Sequence, residues 1–116
     1  MYNIGLITIE KLNAFGADTK TGLARCMNKE DFYLKLVAMA LNEPRFEQLG
    51  IALEAKDFEE AFEHCHSIKG VIGNLSLDPL YKEICEMTEL LRAKTDTDYS
   101  ALYKKIMDLR AELLAM

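Results

Sequence analysis

No stretch of this chain approaches the roughly 20 consecutive apolar residues that a membrane span needs, although half of its 116 residues are hydrophobic. Nor does any run show the two-residue alternation of a half-buried strand. Cysteine is sparse and odd in number. Cys26, Cys65 and Cys85 lack paired spacing, which reads as reduced, mostly buried thiols rather than a disulfide framework. A zinc site wants tetrahedral nitrogen and sulfur ligands, usually in close pairs. The one cluster, His64-Cys65-His66, points its members in three directions on a helix, so no metal is expected there. Basic charge is also short: 14 Lys and Arg against 19 Asp and Glu leave a net charge of −5, which argues against general nucleic-acid binding. The segment Met1-Tyr2-Asn3-Ile4-Gly5-Leu6-Ile7 lacks a basic leader and is too short for a secretory apolar region with a cleavage site. The cytoplasm is therefore the expected compartment. No glycine-rich phosphate loop follows a strand, and there is no Walker lysine motif. Internal repeats and low-complexity segments are absent.

What is present is a series of helical patterns with boundary signals between them. The expectation is one domain over residues 1–116, a length that buries roughly two-thirds of the unfolded surface. Residues 8–15 read as a short amphipathic helix stopped by Gly16 at its C′ position. Asp18 caps a second brief turn through Cys26. Asn28 is the expected cap of a longer run whose first turn holds Lys29, Glu30 and Asp31. On that run Phe32, Leu36, Met39 and Ala40 have core spacing, widened by Leu34, Val37 and Leu41. Pro44 either kinks this helix or begins the next. Residues 44–55 follow, with Phe46, Leu49, Ile51 and Leu53 expected inward.

Asp57 caps the following helix, with Glu59 and Glu60 at its positive end. Asp78 at N-cap and Pro79 at N1 start another, whose apolar positions are Leu80, Ile84, Met87, Leu90 and Leu91 up to about Lys94. After the polar turn Thr95-Asp96-Thr97-Asp98, a last helix carries Leu102, Ile106, Leu109 and Leu113. Met39, Met87 and Met107 read as core filler, and Glu83, Glu86 and Glu89 as a solvated face. The fold class is all-α: an antiparallel four-helix bundle with one or two short N-terminal helices.

Chemistry concentrates in Glu63-His64-Cys65-His66-Ser67-Ile68-Lys69-Gly70-Val71-Ile72-Gly73-Asn74-Leu75. At about 100° per residue, Lys69, Gly70 and Gly73 share a stripe with the His66 imidazole. The core arc of this helix takes Phe58, Ala61, Phe62, Cys65, Ile68 and Ile72, leaving His66 on its flank and His64 on the opposite one. A histidine at such a boundary either hydrogen-bonds a neighbouring helix or serves as an accessible nucleophile. Each glycine inside a helix costs about 1 kcal/mol relative to alanine. Gly70 and Gly73 therefore reflect either close approach of a neighbouring helix or clearance beside His66 for a partner's active site.

The sequence His66-x-x-Lys69-Gly70, with Gly73, Asn74 and Leu75 following, resembles the signature of histidine phosphotransfer (HPt) domains. The likeness extends to the order and length of the helices over about residues 5–114. Many members place glycine where this chain has Ser76, which bears on the geometry just after Asn74. The resemblance implies that His66 accepts a phosphoryl group through Nε2 from an aspartyl phosphate on a receiver domain and passes it to another receiver. It implies that Lys69 offsets phosphoryl charge, that Gly70 and Gly73 clear the approach, and that Asn74 offers a polar contact. The chain itself is then a phosphocarrier and not an enzyme, without a cofactor; Mg²⁺ and in-line positioning come with the receiver. The implied partners are response-regulator receivers and a hybrid histidine kinase, with no nucleic acid or membrane, acting on a monomer. Receiver docking in the family uses an apolar patch near the histidine. Ile9, Leu12 and Phe15, with residues of the 29–41 helix, are candidates for it, although they equally suit a lid over the bundle core. Two other functions stay open: an HPt-like module that docks a regulator without carrying phosphate, and an enzyme using His66 on a small phosphorylated metabolite.

Overall fold

The computed structural model describes residues 7–116, and the N-terminal segment read above lies, apart from Ile7, outside them. Seven helices are present among the described residues: α1 Ile9–Phe15, α2 Thr19–Arg25, α3 Glu30–Leu41, α4 Arg45–Glu54, α5 Phe58–Asn74, α6 Asp78–Arg92 and α7 Ser100–Leu114. The fold is all-helical, as expected. Helix α5 packs on α4 and α6, and α7 packs on α6 and closes against α3 and α4. The short α1 and α2 lie at the end of the bundle where α5 finishes. One continuous apolar core runs from Ile7 to Leu113. No described helix is long and apolar enough to cross a membrane.

Local signals set most boundaries. Thr8 caps α1 by accepting from the Lys11 amide at 3.1 Å, and Gly16 ends it in the left-handed region at φ 110°. Asp18 and Asp57 cap α2 and α5 through the amides of Thr21 and Glu60, each at 3.2 Å. Pro44 begins α4 rather than kinking a longer helix, because its missing N–H costs nothing in a first turn. Helix α6 starts at Asp78, so its cap is Leu77, one residue before the expected position.

Several expected caps and orientations differ. Asn28 does not cap α3. Met27 and Asn28 sit at φ 58° and 56° to turn the chain, and Lys29 takes the cap position without a side-chain bond. Helix α3 is rotated from its expected face: Tyr33, Val37, Ala38, Ala40 and Leu41 are buried, while Phe32 and Met39 are 44% and 43% exposed. Tyr33 sets this rotation. Its ring lies against Gly22, where a Cβ would come within 2.6 Å, and its hydroxyl donates to the Leu75 carbonyl at 2.8 Å. Met39 is therefore not core filler. Ile51 faces out as well, since α4 buries Phe46, Leu49 and Ala52 instead. Phe58 is exposed against the Tyr99 ring, 5.5 Å between centroids. Glu83 is not on a solvated face: it is buried and paired with Lys105 at 3.2 Å. The three cysteines are free thiols, with Cys26 and Cys65 buried. Burial pushes the Cys65 thiol up to about 11, which leaves it without nucleophilic character at neutral pH.

Candidate functional site

Helix α5 presents its two histidines in opposite ways. His64 is nearly buried and both its nitrogens are engaged: Nδ1 accepts from Arg45 Nη1 at 3.2 Å, and Nε2 faces Glu60 Oε1 at 3.2 Å. Arginine only donates, so Nδ1 carries the lone pair and the proton sits on Nε2. His66 is exposed, and no described side chain hydrogen-bonds its ring. Its imidazole stacks on Phe62, one turn earlier, with centroids 5.6 Å apart and planes inclined by 16°. Helical side chains lean toward the N-terminus, which brings residue 66 over residue 62. Arg92 of α6 places its guanidinium carbon 5.1 Å from the Phe62 centroid.

From His66 a groove of about 690 Å³ runs past Lys69, Gly70, Gly73 and Asn74 to Arg25 and Tyr81. The five residues that the motif singles out on α5 thus line one concavity. The two glycines have different causes. A Cβ at Gly70 would meet nothing within 4 Å, whereas one at Gly73 would come within 2.6 Å of the Tyr81 ring. Close approach of α6 accounts for Gly73, whereas the flank beside the imidazole at Gly70 is open.

The far end of α5 closes in a Schellman arrangement. The Ser76 amide donates to the Gly73 carbonyl at 3.1 Å and the Leu77 amide to Ile72 at 3.4 Å. Ser76 occupies the left-handed position at φ 58°, the conformation glycine takes most cheaply. The departure from glycine at this position therefore leaves the turn intact. Arg25 completes the cap, its Nη1 donating to the carbonyls of Gly73 at 2.9 Å and Asn74 at 3.2 Å. A cation at this end also suits the negative end of the helix dipole.

A second concavity of about 650 Å³ shares Gly70 and Asn74 with the first and is lined by Leu36, Met39 and Val71. With Phe32 and Val71 also exposed, the outward stripe of α3 gives an apolar surface beside the groove. The expected apolar candidates on α1 do not line either concavity. Leu12 is fully buried, and Ile9 and Phe15 are partly buried and packed against the core.

A family model for the Hpt domain matches residues 37–116, more than half of the chain. The chain belongs to the Hpt domain family. Curated proteins and solved structures yield no match. For an Hpt domain the family implies a histidine-phosphotransfer role in phosphorelays and interaction with receiver or kinase domains of two-component systems. The matched region holds α4 through α7 and the whole groove face of α5, while α1, α2 and the start of α3 lie before it. Arg25 therefore reaches this Hpt site from outside the matched region. Reasoning from sequence missed Arg25, Tyr81 and the stacking role of Phe62. Only Phe62 carried a signal, its spacing of four from His66; the others arrive from distant helices.

Proposed function

We propose that this chain relays a phosphoryl group between receiver aspartates through His66. The observation that supports this most is an exposed imidazole with unengaged nitrogens, beside a bare Gly70 and one turn from Lys69. In the forward step the Nε2 lone pair attacks phosphorus of the aspartyl phosphate. The P–O bond breaks with its electron pair remaining on the carboxylate, the N–P bond forms, and Nδ1 keeps its proton. Lys69 supplies positive charge toward the phosphoryl oxygens. The receiver docks over Gly70 onto the apolar surface of Phe32, Leu36, Met39 and Val71, and brings the Mg²⁺ and in-line geometry that the transfer requires. On this reading the chain is a phosphocarrier and not a catalyst, working as a monomer in the cytoplasm, where phosphorylated receivers and hybrid kinases supply and accept the group.

The test is incubation with a receiver domain charged on its aspartate, scored for acid-labile phosphate. His66→Gln is expected to abolish labelling while leaving the helical fold and receiver binding nearly intact. Lys69→Ala slows transfer more than it weakens binding. Labelling of His66→Gln to the wild-type extent would overturn the assignment, and receiver binding without label on the wild type would favour a docking module that carries no phosphate.

A further inference from the structure

The site holds its histidine without a hydrogen bond. A histidine that is held in one orientation ordinarily makes a hydrogen bond from its second nitrogen to a carboxylate or carbonyl, as the nearly buried His64 does to Glu60. His66 has instead the Phe62 face, at 5.6 Å and 16°. Phe62 is half-buried, packed against the core on one side and next to the Arg92 guanidinium at 5.1 Å. Arg92 is in turn tied to Glu89 at 3.2 Å. A cation near an aromatic face is attracted by the ring quadrupole, so α6 holds the Phe62 ring and Phe62 holds the imidazole.

We propose that Phe62, braced by Arg92, is the positioning residue of the phosphoacceptor. It restricts the His66 ring to one orientation while leaving both nitrogens free. This deepens the relay reading and rests on it. Stacking suits this task better than a carboxylate. An orienting carboxylate would add negative charge beside an incoming phosphoryl group that is itself anionic, whereas a phenyl ring adds none. On a helix an unrestrained imidazole divides itself among about four staggered combinations, two of χ1, since the third clashes with the preceding turn, and two of χ2. Confining it to one raises the fraction in an attacking geometry by about that factor.

The experiment compares wild type, Phe62→Leu and Phe62→Tyr, each verified as folded by circular dichroism. In the unphosphorylated proteins the carbon-bound ring protons of His66 are read by NMR. They should be shifted upfield by the ring current in wild type and Phe62→Tyr, and lose that shift in Phe62→Leu. Transfer from a phosphorylated receiver should be slowed about two- to fourfold in Phe62→Leu, with receiver affinity changed less than about twofold and Phe62→Tyr close to wild type. The same proteins are labelled with phosphoramidate, which needs no docking. A wild-type chain that takes phosphate from neither donor would overturn the relay reading itself. A labelled wild type with Phe62→Leu equally fast, or with its His66 shifts unmoved, would overturn the positioning role alone.

Discussion

Gly70 and Gly73 occupy the same flank of one helix, yet an added methyl meets open space at one and an aromatic ring at the other. The two alanine variants should therefore diverge. Gly70→Ala gains helix propensity of about 1 kcal/mol and, on the relay reading proposed above, slows phosphotransfer, because the new methyl would stand in the receiver's path. Gly73→Ala forces the half-buried Tyr81 ring aside and is expected to lower stability by about 1 kcal/mol, the low end for overpacking. Urea midpoints and labelling rates measured on both variants check this; equal stability changes would contradict it. The spacing of His66, Lys69, Gly70 and Gly73 made the stripe legible, since it follows from helix geometry alone. Which glycine faces open space was not legible, because Tyr81 belongs to another helix.

At the scale of elements, α5 is held at both ends by different means. Its start is local: Asp57 accepts from an amide three residues on. Its finish depends on partners far away in the chain, with Arg25 on the Gly73 and Asn74 carbonyls, Tyr33 on Leu75, and the Asp18 amide donating to Ser76 at 2.9 Å. Arg25→Met keeps the stem and removes the cap. We expect a loss of about 1 kcal/mol, with amide exchange accelerated in the last turn of α5 more than near Asp57. Uniform acceleration along the helix would speak against a localised cap. Helix existence and boundaries were legible from caps, prolines and periodicity to within about two residues. The rotation of α3 was not. Its apolar residues are too many to define one face, and the choice fell to Tyr33 seated against Gly22. That rotation is also what turns Phe32 and Met39 outward beside the groove.

For the molecule as a whole, buried ionisable groups set a limit at high pH. Burial pushes the Tyr33 hydroxyl from 10.0 up to about 12 and the Cys65 thiol from 9.0 up to about 11. Tyr99 and Tyr103 are raised for the same reason. In each case the unfolded chain releases its proton first. Stability is thus complete below about pH 9 and falls as pH rises toward about 12. Denaturant midpoints between pH 7 and 11 should decline accordingly, and Tyr33→Phe should flatten the upper part of the decline while lowering stability at neutral pH through the lost bond to Leu75. A flat wild-type profile would refute the linkage. By itself the sequence determined that the chain is helical, where most helices begin to within about two residues, and that His66 stands on a flank with Lys69 and Gly70. These depend on interactions within a few residues. Only tertiary structure decided that α3 turns Phe32 and Met39 outward, that Arg25 caps the histidine helix, and that Glu83 lies buried beside Lys105. Those outcomes follow from contacts between residues on different helices, whose pairing depends on how whole helices pack and not on any local pattern.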